Sequence, residues 1–182
     1  MEDQWILSCQ QGHLSAFESL YNSYVKQVYR FIYFKTHQKE IAEDLTSTTF
    51  LKALQKIKTL DTQKASFKTW LYHIARNTVI DHYRSYQEED DLEDAWELGD
   101  KENIAEDLDF KMKMASVKTY LKQLKPEQRD IVLLRIWSGC SFQEIAHIMD
   151  KTEAACKMSF KRVIEKLRDD FSPFMILLLL FK

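Results

Sequence analysis

Cationic and aromatic side chains alternate along residues 67–84, FKTWLYHIARNTVIDHYR. Rings stack on unpaired bases while cations hold phosphates, so this mixture is typical of a surface that binds single-stranded nucleic acid. The candidate binding residues are Lys64, Lys68, Tyr72, His73, Arg76, Asn77 and Arg84. The alternative is that the rings fill a core and the cations are merely solvated. For Trp70, beside Leu71 on the apolar side of the predicted helix, the core interpretation is favoured.

A second cationic stretch covers residues 141–163, SFQEIAHIMDKTEAACKMSFKRV. Ser141 and Glu144 have capping-box spacing, Asp150 begins a corner, and Thr152 is a good N-cap for the helix that follows. Two short helices joined this tightly predict a helix-turn-helix, whose second helix enters the major groove of DNA. The residues on its outer side are Glu153, Ala154, Lys157, Met158 and Lys161, opposite the predicted inward positions Cys156, Phe160, Val163 and Leu167. A purely structural corner explains this stretch alone equally well.

The remaining pattern predicts the helices that must position these residues. Apolar residues recur at helical spacing over 14–34, 39–57 and 67–84, and TLDTQKAS interrupts the pattern before the third segment. A further helix is predicted from Met112 to Leu124, and another from Pro126 to a stop at Gly139. Only 3 glycines and 2 prolines occur in 182 residues, which leaves little material for the turns of a β-rich fold. We expect an all-α protein made of two small helical domains.

The charge distribution predicts the domain boundaries. Residues 1–86 hold 11 Lys and Arg against 8 Asp and Glu, residues 87–110 hold 1 against 12, and residues 111–182 hold 14 against 8. Like charges at the density of the middle segment repel one another and extend the chain. We therefore predict an N-terminal domain over 1–86, an acidic linker over 87–111, a C-terminal domain over 112–172, and an apolar tail of unknown role over 173–182.

Several function classes are disfavoured by what the sequence holds. Its three cysteines lack metal-ligand spacing, its five histidines are scattered, and it has no Gly-rich phosphate loop, so we expect no metal, no cofactor and no enzyme. The unpaired cysteines fit a reducing compartment. The acidic N-terminus is unlike a signal peptide, and the tail's eight apolar residues are fewer than the roughly 20 that span a membrane. We expect a cytoplasmic protein.

Five stretches in order resemble one family. They are AFESLYNSYVKQVYRFIY, AEDLTSTTFLKAL, FKTWLYHIARNTVIDHYR, LKQLKPEQRDIVLLRIWSGCSFQEIA and the helix-turn-helix, and together they resemble a bacterial RNA polymerase sigma factor of the extracytoplasmic-function (ECF) type. The resemblance implies an alternative sigma factor that binds core RNA polymerase, recognises the −35 promoter element, and recognises and melts the −10 element. It also implies an acidic linker that threads through the polymerase, and an anti-sigma partner of the kind that the family often has.

The resemblance assigns roles to individual residues. The residues that match the family's polymerase-binding motif are Ala42, Glu43, Asp44, Leu45 and Thr46, with Phe50 and Leu51 after them. We expect polymerase binding from Glu43, Asp44, Leu45, Thr46, Thr48 and Phe50, with Leu45 and Phe50 packing inward. The residues that match the family's −10 helix are Trp70, Leu71, Ile74, Ala75, Arg76, Asn77, Asp81 and Arg84, and the loop 61–66 lies where the family captures a flipped base, with Lys64 and Phe67 as expected wall residues. The −35 element would contact Thr152, Glu153, Ala154, Lys157, Met158, Lys161 and Arg162.

Three positions depart from the family pattern. Ser47 stands where glutamine is common, Asp150 where glycine is frequent, and Ser159 where arginine is frequent. Aspartate tolerates a left-handed conformation better than most residues, so the turn at Asp150 can form. A competing function is a stand-alone helix-turn-helix regulator that binds operator DNA without polymerase, but it leaves the segment EDLTSTTF without a role.

Overall fold

A computed structural model of the chain describes residues 1–89, 120–121 and 123–170. Over these ranges the chain forms seven α-helices and no β-strand, which confirms the all-α prediction. The helices are α1 (Glu2–Gln10), α2 (Phe17–Thr36), α3 (Lys39–Lys56), α4 (Phe67–Glu89), α5 (Pro126–Val132), α6 (Phe142–Met149) and α7 (Glu153–Asp170). Contacts divide the chain into two compact units, Met1–Asp100 and Lys101–Lys182.

Helices α2, α3 and α4 enclose the core of the first unit. Their apolar stripes place Leu20, Ile32, Ala53 and Leu71 at its centre, where each side chain is fully buried. Burial of such side chains is the main favourable term in folding, at about 1.5–3 kcal/mol for each large aliphatic group. The three amphipathic segments of the sequence therefore build one core.

The ends of the first unit's helices are set by local chemistry. A 3-10 turn, Leu14–Ala16, precedes α2, which ends where His37 adopts a left-handed conformation with φ of 56°. The His37 amide donates a hydrogen bond of 2.8 Å to the carbonyl of Tyr33. Another 3-10 turn, Ile57–Thr59, follows α3 and leads into the loop before α4. The two 3-10 turns and the left-handed His37 determine where these helices begin and end.

The second unit begins its described part with the buried residues Tyr120 and Leu121. Helix α5 starts at Pro126 and continues as a π-helical segment, Leu133–Trp137. Gly139, with φ of 61°, then turns the chain, which confirms the predicted stop at this glycine. Helices α6 and α7 close the core through buried Ile145, Ile148 and Val163, as well as other apolar residues of both helices.

Two buried hydrogen bonds, one from Arg129 and one from Tyr120, hold the start of the described part of this unit in place. Nε of Arg129 donates to the carbonyl of Leu121 at 2.8 Å, and the Tyr120 hydroxyl donates to the carbonyl of Val163 at 2.9 Å. Satisfying buried polar groups in this way avoids a desolvation cost of about 1–3 kcal/mol for each. The two bonds join the chain before α5 to both α5 and α7.

Some predictions fall wholly or partly outside the described residues. They concern the acidic linker, the first part of the helix predicted from Met112, and the apolar tail over 173–182. Helix α4 runs to Glu89, so its last three residues fall within the segment predicted as linker from residue 87. Among the helices that the structure describes, none has the length and apolar character needed to cross a membrane.

Candidate nucleic-acid interface

The second unit contains the predicted helix-turn-helix. The Ser141 amide donates to Glu144 Oε2 at 2.7 Å, and the Glu144 amide donates back to Ser141 Oγ at 3.1 Å, so the capping box opens α6 as predicted. Asp150 has φ of 54° and lies in the left-handed region. Thr152 Oγ1 accepts from the Ala155 amide at 3.2 Å, which caps the start of α7. The turn between α6 and α7 is therefore stabilised by residues within the helix-turn-helix segment itself.

The outer side of α7 is exposed and carries paired charges. Its exposed residues include Glu153, Ala154, Lys157, Met158, Lys161 and Arg162, which are all the members of the predicted −35 set on this helix, while Thr152 is exposed at its N-cap. Lys157 Nζ lies 2.6 Å from Glu153 Oε1, and Lys161 Nζ lies 3.6 Å from Glu165 Oε1. These i,i+4 pairs stabilise the helix by a few tenths of a kcal/mol each. They also place a carboxylate beside two of the cations predicted to contact DNA.

Aromatic and cationic contacts hold α7 against its neighbours. The Phe142 ring of α6 meets the Phe160 ring of α7 edge-on, with centroids 5.5 Å apart. The guanidinium of Arg135 lies over Phe142 at 4.8 Å and donates to the carbonyl of Cys140 at 2.9 Å. Lys151, in the turn, pairs with Glu127 of α5 at 2.8 Å. Helix α7 and the turn before it are thus supported by both earlier helices of the unit.

The cysteine thiols belong to the cores. Cys9, Cys140 and Cys156 are all buried, and all three are thiols outside any disulfide. Burial raises the pKa of the Cys9 and Cys156 thiols, so both stay protonated near neutral pH and are poor nucleophiles. In the described part of the chain no cluster of three or more His, Cys, Asp or Glu could hold a metal ion.

In the first unit, one face of α4 gathers several of the predicted −10 residues. Trp70, His73, Asn77 and Arg84 follow one another at spacings of three, four and seven, so they share a stripe along the helix. The Asn77 amide nitrogen lies 3.4 Å from His73 Nε2. The first three side chains are half-buried and Arg84 is exposed. This stripe offers rings, an amide and a cation along one edge of the unit.

Two aromatic members of the predicted −10 set lie in the core instead. Tyr72 is 0% exposed and meets Phe31 edge-on at 5.4 Å, while Phe67 is 1% exposed and lies 5.5 Å from the Tyr24 ring. A side chain enclosed by its own domain cannot stack on a base, so Tyr72 and Phe67 are withdrawn from the binding set. The core interpretation of Trp70 also needs correction, because its ring is only half-buried on the α4 stripe.

The loop before α4, residues 61–66, has internal hydrogen bonds. Asp61 Oδ1 accepts from the Gln63 amide at 3.0 Å, and the hydrogen-bonded Lys64 ammonium holds the pKa of the Asp61 carboxyl below its ordinary value. Ser66 Oγ accepts from the Thr69 amide at 3.2 Å and caps α4. Lys64 itself remains exposed, as does most of the loop. Of the other cations in the set, Lys68 and Arg76 are half-buried on α4.

The polymerase-binding set divides between two faces of α3. Glu43 and Asp44 are exposed and Thr48 is half-buried, on the side that also exposes Ser47 and Leu51. The remaining members, Leu45, Thr46 and Phe50, are buried. The expected packing of Leu45 and Phe50 is confirmed, and Thr46 joins them, since its Oγ1 donates to the carbonyl of Ala42 at 2.6 Å. These three support the outward face and cannot themselves touch a partner.

One apolar residue on this outward face is exposed. Leu51 belongs to the apolar pattern of α3 and also matches the family's polymerase-binding motif, and it is 55% exposed. It follows Glu43 and Ser47 at four-residue intervals, which places all three on one stripe.

Comparisons with known proteins identify the class. The family model of Sigma-70 region 2 matches residues 20–89, and the model of Sigma-70 region 4 matches residues 114–167. The chain is 37% identical to the ECF RNA polymerase sigma factor BldN of Streptomyces coelicolor over 161 residues, 87% of this chain but only 61% of that relative. It is 30% identical to the ECF RNA polymerase sigma factor SigM of Bacillus subtilis, covering 83% of this chain and 92% of that one.

The fold has solved counterparts. The chain of the sigma factor RpoE of Bartonella quintana, solved in complex with the anti-sigma factor NepR, is similar with a TM-score of 0.70. That likeness covers 84% of this chain and 94% of that chain at 22% identity, so it bears on the fold alone. The fold and the two regional matches define a sigma factor of bacterial transcription initiation. The chain belongs to the ECF family of RNA polymerase sigma factors.

Proposed function

We propose that this alternative sigma factor binds core RNA polymerase through the outward face of α3. That face presents the carboxylates of Glu43 and Asp44 beside exposed Leu51, a mixture of charge and apolar surface that suits a protein partner. Leu45 and Phe50 hold it in place from below, where Phe50 meets the Tyr21 ring at 4.8 Å. The N-terminal unit would dock here and leave α4 available for DNA.

The α4 stripe is the proposed contact with the melted −10 element. Trp70 and His73 supply half-buried rings, and Asn77, Arg84 and the half-buried Lys68 and Arg76 supply hydrogen-bond donors. The exposed loop 61–66 beside α4 is the proposed receptor for one flipped base. Extracting a base from the stack costs a few kcal/mol, which stacking and hydrogen bonds in the receptor must return.

We propose that the outer side of α7 contacts the −35 duplex. The cationic side chains of Lys157, Lys161 and Arg162 would neutralise phosphates, and Glu153 and Met158 are exposed on the same helix. The residues supplied by α7 are few, so tethering by polymerase is part of the proposal. Tethering raises the effective concentration of the helix at its site.

The single observation that carries the proposal is the order of the two matches on the two units. Sigma-70 region 2 falls on the unit with the α3 and α4 faces, and region 4 falls on the unit with the helix-turn-helix. A stand-alone regulator would have no use for the first of these. Binding to polymerase and promoter also needs no catalysis by the protein itself, and we assign its work to the cytoplasm, where core polymerase and chromosome meet.

We further propose that an anti-sigma protein restrains this factor, in keeping with the complex in which the Bartonella relative was solved. The acidic segment 87–110, with 12 Asp and Glu against 1 Lys, would occupy the basic nucleic-acid path of the polymerase.

Run-off transcription tests the proposal. Purified protein is added to bacterial core polymerase with a pool of random promoters, and the start sites are sequenced. We expect starts at a common pair of elements that core polymerase alone does not use. Tight DNA binding by the isolated protein without any promoter-specific start would instead identify a stand-alone regulator.

A further inference from the structure

Gln10, the last residue of α1, reaches the chain directly before the loop 61–66. Its Nε2 donates to the carbonyl of Leu60 at 2.8 Å and to the carbonyl of Ile57 at 3.2 Å. These bonds join residues 50 and 47 positions apart in sequence. Helix α1 lies before residue 20, where the match to Sigma-70 region 2 begins.

The two bonds continue into the loop through its backbone. The Leu60 amide donates to the carbonyl of Ile57 at 3.2 Å, and the Leu60 side chain is buried. The carbonyl of the next residue, Asp61, accepts from the amides of Lys64 at 3.0 Å and Ala65 at 3.2 Å. The bonds of Gln10 therefore end at Leu60, and the peptide bond from Leu60 to Asp61 connects them to the hydrogen bonds within the loop.

Helix α1 is itself firmly attached and can act as a support. Ile6 and Cys9 are buried, and Glu2 accepts a hydrogen bond of 2.6 Å from the Tyr24 hydroxyl of α2. The other end of the loop is fixed by Ser66 at the start of α4. The loop is held at both ends, with α1 supplying the support at its beginning.

We propose that Gln10 is a positioning residue for capture of the unpaired −10 base. It would not touch DNA; it would hold Ile57 and Leu60 so that the loop 61–66 presents a preformed receptor. Preorganisation of this kind raises affinity because less conformational freedom is lost on binding. The inference rests on the proposed function, in which this loop receives the base.

The first test measures whether the hydrogen bonds of Gln10 stabilise the loop 61–66. Gln10→Met removes both donors at similar volume, and Gln11→Met is the matched control because Gln11 is exposed and its side chain makes no bond in the described structure. Hydrogen exchange should become about fivefold to tenfold faster at the Lys64 and Ala65 amides in Gln10→Met, the size expected for one or two lost hydrogen bonds, and stay unchanged in the control. Equal exchange in both variants would overturn the inference.

The second test measures whether the effect of Gln10 on oligonucleotide affinity depends on the presence of the flipped base. Holoenzymes made with each variant are titrated with a single-stranded −10 oligonucleotide from a promoter selected in the run-off experiment. The same oligonucleotide is then tested with an abasic site at the position where loss of the base costs most. We expect Gln10→Met to weaken binding about fivefold to tenfold on the intact strand and to have no effect on the abasic strand.

The outcomes separate the two proposals. An equal loss on both strands would mean that Gln10 acts on general stability, and the positioning role would be wrong. If wild-type holoenzyme itself fails to select promoters or bind the strand, the sigma proposal fails and the base-positioning role falls with it. Hydrogen exchange would still decide independently whether Gln10 supports the loop.

Discussion

The two candidate binding surfaces differ in how much of their helix is exposed. Helix α7 exposes one continuous side, and its buried residues in the described range include Cys156, Val163 and Leu167, with Phe160 half-buried against Phe142. Helix α4 is buried over a wider arc, from Phe67 through Tyr72 to Val79, so its available stripe is narrow and half-covered. On a helix with one exposed side, such as α7, the spacing of residues in the sequence predicts which side chains a partner can reach. On a helix inside a three-helix core, such as α4, a partner can reach only the side chains that the neighbouring helices leave uncovered.

The largest expected effect separates polymerase docking from DNA reading. Asp44→Arg reverses a charge on the exposed face of α3 and should weaken core polymerase binding about 100-fold, because a like-charge contact at an interface costs several kcal/mol. Competition between labelled wild-type and variant protein for core polymerase measures it. Asp3→Arg, at an exposed position of α1, is the matched control. If Asp44→Arg competes as well as wild type, α3 is not the docking face.

A smaller effect tests which aromatic side chains of α4 are available to DNA. Trp70→Ala should weaken holoenzyme binding to the single-stranded −10 element about tenfold, since stacking on one ring contributes about 1–3 kcal/mol per base. Tyr72→Phe, in the core, should leave that binding unchanged. Circular dichroism melting of each variant controls for unfolding. The reverse result, a loss with Tyr72→Phe alone, would restore the sequence-based assignment and reject the stripe.

The paired charges of α7 predict opposite effects from neighbouring substitutions. Lys157→Ala should weaken binding of holoenzyme to a −35 duplex about fivefold and reduce its salt slope by about one, because one phosphate contact is lost. Glu153→Ala should strengthen binding to nonspecific duplex, because Lys157 loses its partner at 2.6 Å. Fluorescence anisotropy at several salt concentrations measures both. A weaker nonspecific affinity for Glu153→Ala would show that the glutamate aids DNA binding.

The smallest effect concerns the corner itself. Asp150→Ala should lower the stability of the full-length protein's second unit by about 1 kcal/mol, since alanine tolerates the left-handed φ of 54° poorly. Asp150→Gly should show no such loss, because glycine adopts that conformation readily. Chemical denaturation followed by signals from the second unit compares the two. Equal destabilisation by both would mean that the aspartate side chain matters more than the backbone conformation.

Local patterns in the sequence predicted the corner in detail. The capping box at Ser141, the cap at Thr152 and the stop at Gly139 each depend on residues within a few positions of one another, so spacing alone sufficed. The helical segments followed from apolar periodicity for the same reason. The start of α2 differed slightly, because a 3-10 turn takes up Leu14–Ala16 before the α-helix begins.

Tertiary packing determined what the sequence could not predict. Tyr72 and Phe67 belong to a run where aromatic and cationic residues alternate, and only contacts with α2 reveal which rings are enclosed. Leu51 is apolar and still faces outward, whereas Phe50 and Ala53 of the same helix are buried. The bonds of Gln10 to residues 47 and 50 positions away have no local signal at all.

The ion pairs on α7 also bear on where the protein spends its time in the cell. A chromosome offers about 10⁶–10⁹ competing nonspecific sites, and loose affinity for all of them would sequester a scarce initiation factor. With Lys157 and Lys161 already beside Glu153 and Glu165, each carboxylate offsets part of the attraction of its lysine for DNA phosphates. The two pairs would therefore lower the affinity of the free factor for nonspecific DNA and leave more of it available to polymerase.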